Sequence, residues 1–168
     1  MKIIGFTYIN GQTEMVLKGD SCLLVNRKPF FMPDWTSDVQ MQRCIVLRVS
    51  RLGKSIAAKF ANRYYDAIAY GADFTAADVL HEAITHGHSW TPATCFDYSL
   101  AVGAWIDIEQ FALNNDQLAV PVEQAIEQAS KVMTIRQGDL IYIHLKDEPQ
   151  HVERDEVIEE EGLYCKIK

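Results

Sequence analysis

Three segments in the middle of the chain carry its strongest signal: PFFMPDW at Pro29–Trp35, RLGKSIAAKFANRYYDAIAYGADFTAAD at Arg51–Asp78, and CFDYSLAVGAW at Cys95–Trp105. Between the first two lies Val39–Ser50, an apolar stretch with the length of one long strand. Side chains alternate between the two faces of a strand. We therefore expect Gln42 and Cys44 to share one face, two residues apart.

Shorter apolar runs predict the other strands, which are Ile3–Ile9, Cys22–Val25, Ile68–Phe74, Leu140–Leu145 and Leu163–Ile167. Each is too short for a typical helix and is rich in β-branched or aromatic residues. With only three short helices between them, these strands predict an α+β, mainly β fold. We expect one domain over residues 1–168.

Periodic spacing predicts the helices. Val122–Met133 has apolar residues on one helical face, with Pro121 at its entry. Ser55–Tyr65 has a weaker pattern of the same kind. Thr75 followed by Asp78 matches a helix-start signature, and Gly87 is a natural end for the short helix that would follow.

Composition excludes several functional classes. The net charge of −7 disfavours nucleic-acid binding, and the acidic run Asp147–Glu161 is typical of a solvated segment. No run reaches the roughly 20 apolar residues of a membrane helix, and the start lacks a signal-peptide pattern. Four cysteines without a C-x-x-C pair indicate reduced thiols. We expect a cytoplasmic protein that binds neither nucleic acid nor membrane.

In their order and spacing, the three segments resemble the fumarylacetoacetate hydrolase family, especially its bacterial hydroxyheptadienedioate isomerase-like branch. The resemblance implies a mixed β-roll, in which strands wrap into a distorted barrel, and a homodimer. It also implies Mg²⁺- or Mn²⁺-dependent hydrolysis, decarboxylation or isomerisation of acylpyruvate-like 2-oxo diacids. The chain is short for that family.

The metal-binding positions of that family are altered here. The resemblance implies a Glu-x-Glu pair and an aspartate as ligands, whereas this chain has Gln42, Arg43 and Cys44, and keeps only Asp73. Mg²⁺ prefers hard oxygen ligands with compensating charge, and sulfur suits softer metals. We therefore expect no bound cofactor, with Mg²⁺ or Mn²⁺ as the alternative.

The substrate positions are altered as well. Lys18 matches a pocket lysine of the family, but Thr94 stands where the family has a second lysine, and His144 begins the replacement of a pocket turn. Glu14 is a weak match for the catalytic glutamate, and its histidine partner has no counterpart. No catalytic residue is reliable, so we expect a pocket remnant of Lys18, Gln42, Cys44 and Thr94. Simpler interpretations stay open, with Lys18 as a surface charge and Asp73 as an acceptor of backbone hydrogen bonds.

The leading hypothesis is a non-catalytic or repurposed paralogue that binds a small carboxylate. The alternative is a metal-dependent enzyme of the family's class. A third hypothesis repurposes Cys44 as a nucleophile or soft-metal ligand, which would need a nearby base or cation. His81, His86 and His88 form a further metal-like cluster, although His81 and His86 are spaced wrongly for one helical face.

Overall fold

The computed structural model describes residues 1–25, 27–160 and 162–168. Among them are eleven strands: β1 Ile3–Ile9, β2 Gln12–Lys18, β3 Leu23–Leu24, β4 Val39–Val49, β5 Tyr65–Ala76, β6 Leu100–Val102, β7 Ile106–Asp107, β8 Leu140–His144, β9 Gln150–His151, β10 Val157–Glu160 and β11 Leu163–Lys166. There are three α-helices in the same ranges: α1 Ala77–His86, α2 Thr91–Thr94 and α3 Val122–Val132.

Nine of these strands form one sheet in the order β2-β1-β8-β4-β5-β6-β3, with β7 beside β5 and β9 beside β4. The β1–β8 and β3–β6 pairs are parallel and the other pairs are antiparallel, so the sheet is mixed. The mainly β, mixed-sheet prediction is confirmed. The expected barrel is not closed within the described ranges, because the outer strands β2 and β3 do not pair with each other.

The centre of the sheet is the long antiparallel pair β4–β5. Its register places Gln42 opposite Asp73 and Cys44 opposite Gly71. On the other side of β4, Cys44 lies opposite His144 of β8. Residues directly opposite each other share a face. Gln42, Cys44, Asp73 and His144 are therefore brought to one face of the sheet.

Helix α3 covers the opposite face. Its buried residues, among them Val122 and Ile126, pack in a cluster that includes Ile45 and Leu47 of β4. The helix begins after Pro121 and ends at Val132, which confirms the prediction of an amphipathic helix there. The chemistry of the site is thus confined to the face away from α3.

Two local predictions are wrong. Ser55–Tyr65 is not an α-helix, and only Ala58–Arg63 forms a 3₁₀ helix. Ser55 adopts a left-handed φ of 51°, and the N–H groups of Ser55 and Ile56 donate to Ser130 on α3. A residue with a left-handed φ cannot belong to a regular right-handed α-helix, so the helix cannot begin at Ser55.

The predicted start signature at Thr75 also fails. Thr75 lies within β5, and α1 begins at Ala77 with Ala76 as a cap that has no side-chain hydrogen bond. The predicted end is confirmed, because Gly87 has a φ of 66° and its N–H bonds back to the helix. The end of the predicted acidic run, Glu161, lies outside the described residues. No helix in the described ranges is long and apolar enough to span a membrane.

Candidate functional site: a buried ion pair behind a cleft

The site begins with a buried ion pair between β2 and β5. The ammonium nitrogen of Lys18 lies 2.7 Å from Oδ1 of Asp73, and neither side chain is exposed. The same ammonium donates to the Ser99 hydroxyl at 2.9 Å and to the backbone carbonyl of Thr94. An ammonium group has three N–H donors, and all three find acceptors here. Lys18 is therefore neither a surface charge nor free to bind a ligand.

His144 completes this arrangement from β8. Its Nε2 lies 2.8 Å from Oδ2 of Asp73, and its Nδ1 accepts a hydrogen bond from the backbone N–H of Tyr8 at 3.1 Å. Because Nδ1 accepts, the proton must reside on Nε2, which donates to Asp73. His144 therefore has no free lone pair with which to act as a general base in this arrangement.

These partners also determine the direction in which the pKa of Asp73 is shifted. Burial raises the pKa of Asp73, but the Lys18 ammonium and the hydrogen bond from His144 outweigh burial and lower it. Asp73 thus remains a carboxylate with one cationic and one neutral donor. The phenol of Tyr142 lies nearby, and burial, followed by the Asp73 charge, raises the pKa of Tyr142 well above its usual range. Asp73 Oδ1 and the Tyr142 hydroxyl are buried without a hydrogen-bond partner among the described residues, so charge attraction to Lys18 is what compensates Oδ1.

Cys44 lies in an apolar environment. It is buried in a cluster with Val46, Ala69 and Leu100. Burial, and next the negative charge of Asp73, raise the pKa of the Cys44 thiol well above its usual range. A nucleophilic or metal-binding cysteine must be a thiolate. The geometry therefore opposes the hypothesis that Cys44 is a nucleophile or ligand.

Gln42 lies at the wall of a cleft of about 730 Å³. Its side-chain nitrogen donates to the backbone carbonyls of Leu145 at 3.0 Å and Asp147 at 2.8 Å. These two bonds fix the orientation of the amide, because only its NH₂ group can donate. Among the described residues, no hydrogen-bond donor to the amide oxygen is found. Thr94 and His144 also line this cleft, whereas Lys18, Cys44 and Asp73 do not.

Acidic side chains line the cleft without basic ones of the lysine or arginine type among the described residues. The lining includes four carboxylate side chains, of Asp38, Asp78, Asp147 and Glu148. No lysine or arginine lines it within the described part of the chain. Lys18 does not line the cleft, because its ammonium is held in the buried ion pair. Among the described residues, the lining therefore offers carboxylates and no lysine or arginine that could hold a carboxylate ligand.

The remaining predicted residues lie apart from this centre. Glu14 is exposed on the edge strand β2 and does not line the cleft. Thr94 contacts Lys18 through its backbone carbonyl, and its hydroxyl donates to the carbonyl of Trp90. His81 lines the cleft, while His86 stacks on His88 and pairs with Glu82 on the surface. The three histidines therefore do not converge.

A divalent metal does not fit these side chains. No group of three or more His, Cys, Asp or Glu side chains is arranged to hold a metal ion within the described ranges. Of the three positions that the sequence resemblance implied as metal ligands, Gln42 adds no charge, Cys44 is a buried thiol, and both oxygens of Asp73 already face Lys18 or His144. Mg²⁺ and Mn²⁺ need several hard oxygen ligands with negative charge.

Sequence reasoning missed the role of His144. It identified His144 only as a replacement within a pocket turn, and it gave no partner for Lys18 or Asp73. A periodic strand pattern was the available signal, since Leu140–Leu145 places His144 on the same face as Tyr142. Only the strand order β8-β4-β5 shows that this face meets Asp73.

Comparison with known proteins supports the fold. No protein-family model matches the sequence, and no curated protein matches it. Similar solved structures include a fumarylpyruvate hydrolase from Pseudomonas aeruginosa in complex with Mn²⁺ and pyruvate, at 17% identity with a TM-score of 0.85 over 99% of this chain and 88% of that chain. A fumarylacetoacetate hydrolase family protein from Yersinia pestis CO92 has 16% identity and a TM-score of 0.87 over 99% and 92%.

A third similar structure is the 2-hydroxyhepta-2,4-diene-1,7-dioate isomerase from Mycobacterium marinum, with 22% identity and a TM-score of 0.78 over 99% of this chain and 73% of that chain. At these identities the similarity establishes the fold. The resemblance stated from the sequence is confirmed at that level.

Proposed function

We propose that this chain, which has the fold of the fumarylacetoacetate hydrolase proteins, has lost their metal-dependent chemistry and serves as a binding or accessory protein. The observation that carries the proposal is the buried Lys18–Asp73 pair. An internal ammonium compensates the one inherited carboxylate, so that carboxylate has no need of a metal. The homodimer, the single domain and the cytoplasmic location remain predictions.

The loss of chemistry has a physical basis. A metal in such a site would polarise a carbonyl or enolate oxygen and supply several kcal/mol of transition-state stabilisation. The Lys18 ammonium cannot replace this effect, because its donors are already used by Asp73, Ser99 and Thr94. His144 has no free nitrogen for proton transfer.

The described residues of the cleft also lack side chains that would orient a diacid substrate. Positioning of a diacid usually depends on cationic side chains that hold its carboxylates. The described lining of the cleft has none, and it carries four carboxylate side chains instead. A 2-oxo diacid entering this cleft would meet repulsion at the point where an enzyme needs attraction.

The test is a steady-state assay of oxaloacetate and acylpyruvates, with Mg²⁺ or Mn²⁺, at high protein concentration. We expect turnover equal to that of the metal in buffer, and no calorimetric signal for metal binding. Asp73→Asn is the matched variant, with its fold checked by circular dichroism. Metal-dependent turnover that a folded Asp73→Asn protein lacks would overturn the proposal and establish a metal-dependent hydrolase, decarboxylase or isomerase.

A further inference from the structure

We propose that the cleft binds a small organic cation whose N–H groups donate to Oε1 of Gln42. This inference rests on the proposed function, in which the same cleft binds a ligand without a metal ion. The sequence predicted a small carboxylate, which is an anion, whereas the acidic side chains that line the cleft favour a cation.

The first step is the orientation of Gln42. Its side chain is only 6% exposed, and both amide hydrogens point to the carbonyls of Leu145 and Asp147. The amide oxygen makes no hydrogen bond within the described part of the chain, yet it is not among the buried polar atoms that lack a partner. It therefore keeps some solvent-accessible surface, and because Gln42 lines the cleft we infer that this oxygen faces it. An acceptor held in one orientation at the cleft wall selects a ligand that donates hydrogen bonds.

The second step is the charge that remains after internal pairing. Asp147 is neutralised by Arg43, and Asp38 faces the exposed His151. Among the described residues, the groups that donate to Asp78 are all neutral and belong to Thr36, Ser37 and Val79.

Glu148 forms no ion pair within the described ranges. Asp78 and Glu148 thus leave two uncompensated negative charges at the cleft. A cation attracts both, and an anion is repelled by both.

The third step is the shape of the ligand. Met41, Leu80 and Ile84 give the cleft apolar wall positions between its polar groups. A cleft of this size accommodates a small organic molecule. A short hydrocarbon chain with an ammonium or guanidinium end fits these positions, because it presents donors to the polar groups and methylenes to the wall.

The experiment compares putrescine with succinate, which have the same four-carbon skeleton and opposite charge. Binding is followed by chemical-shift changes of cleft amides in ¹H–¹⁵N spectra at low ionic strength. We expect saturable shifts at residues lining the cleft with putrescine and none with succinate. Raising the salt to about 1 M should weaken putrescine binding, since the Debye length falls from about 10 Å to about 3 Å.

Three variants locate the binding. Glu148→Gln, at an exposed position, should weaken putrescine binding by about threefold, the scale of one exposed ion pair. Gln42→Met should weaken it further, with the fold checked by the dispersion of its spectrum. Glu109→Gln is the control, because Glu109 is an exposed glutamate that does not line the cleft, and it should leave binding unchanged.

Three results would each overturn the cation inference. Succinate could bind as tightly as putrescine, putrescine could fail to bind, or Glu148→Gln and Glu109→Gln could have equal effects. None of these results restores metal chemistry, so the proposed function would stand. The proposed function fails separately, if oxaloacetate is turned over with Mn²⁺. If Gln42→Met does not fold, the comparison of Glu148→Gln with Glu109→Gln still decides the inference.

Discussion

The Lys18 ammonium and the Asp73 carboxylate form an ion pair at 2.7 Å in which neither side chain is exposed. The two residues come from β2 and β5, which are separated in the sheet by β1, β8 and β4. Neighbouring strands lie about 4.8 Å apart, so a lysine side chain is too short to cross three strands of a flat sheet, and the sheet must curve to bring β2 near β5. The Lys18 nitrogen also lies 5.8 Å from the centroid of the Tyr142 ring. The pair is therefore a long-range connection across the sheet.

Replacing Lys18 by Met should destabilise the protein strongly. The change keeps the apolar stem but leaves Asp73 as a buried, uncompensated charge, a loss of about 3–5 kcal/mol in comparable cases. Urea denaturation at neutral pH measures the free energy of unfolding. Lys131→Met, on the exposed side of α3, is the control and should change stability by less than about 0.5 kcal/mol.

The double variant Lys18→Met with Asp73→Leu should recover much of this loss, because no buried charge is left unpaired. Equal stabilities of Lys18→Met and Lys131→Met would contradict the buried ion pair.

Replacing Gly5 by Ala should also destabilise the protein, through overpacking. A Cβ atom at Gly5 would lie 2.1 Å from Cζ of Tyr142 and 2.3 Å from its hydroxyl. Either the ring or strand β1 must move, at a cost of about 1–3 kcal/mol. Thermal or urea denaturation measures the loss. Gly19→Ala is the matched control, since a Cβ there meets nothing within 4 Å. If both variants were equally stable, Tyr142 would not pack over β1 as described.

The contribution of Asp78 should depend on pH. Partial burial raises the pKa of Asp78, but hydrogen bonds from Thr36, Ser37 and Val79 outweigh it and lower the pKa to about 2. A carboxyl with a depressed pKa stabilises the folded state above its unfolded pKa of about 3.9, and this contribution is lost as pH falls through the folded value. Asp78→Asn should therefore be less stable than wild type at neutral pH.

The difference between Asp78→Asn and wild type should narrow as the pH falls from about 4 to about 2. Urea denaturation over this range measures it. Asp34→Asn, at an exposed aspartate, should follow the wild-type curve at all pH values. A difference that stays constant through this range would show that the Asp78 charge does not contribute.

The imidazole of His144 should be held in one tautomer. Because Nδ1 accepts from the Tyr8 N–H, the proton belongs on Nε2. Long-range ¹H–¹⁵N correlation spectra distinguish the two ring nitrogens, and should show a protonated Nε2 and an unprotonated Nδ1. The Tyr8 amide should also exchange slowly with solvent. A protonated Nδ1 would contradict the hydrogen-bond network and make His144 available for different chemistry.

The sequence by itself determined the local parts of this structure. The length and apolarity of Val39–Ser50 predict β4, and the period of Val122–Met133 predicts α3, because each pattern reports one buried face. Gln42 and Cys44 also differ from the metal ligands that the family resemblance implies, which the sequence shows without any structure. The helix predicted over Ser55–Tyr65 is absent, because Ser55 has a left-handed φ of 51° where it contacts Ser130 of α3, which a local pattern cannot report.

Only the tertiary structure decided how the polar residues are used. Lys18, Asp73 and His144 lie on three strands, and 71 positions separate Asp73 from His144 along the chain. Their pairing depends on the strand order, which sets the faces that meet. The same order directs the Gln42 amide nitrogen toward two backbone carbonyls. The sequence determines which polar groups are present. The sheet determines that Lys18 faces inward toward Asp73, and this pairing is stable because a buried carboxylate needs a compensating charge.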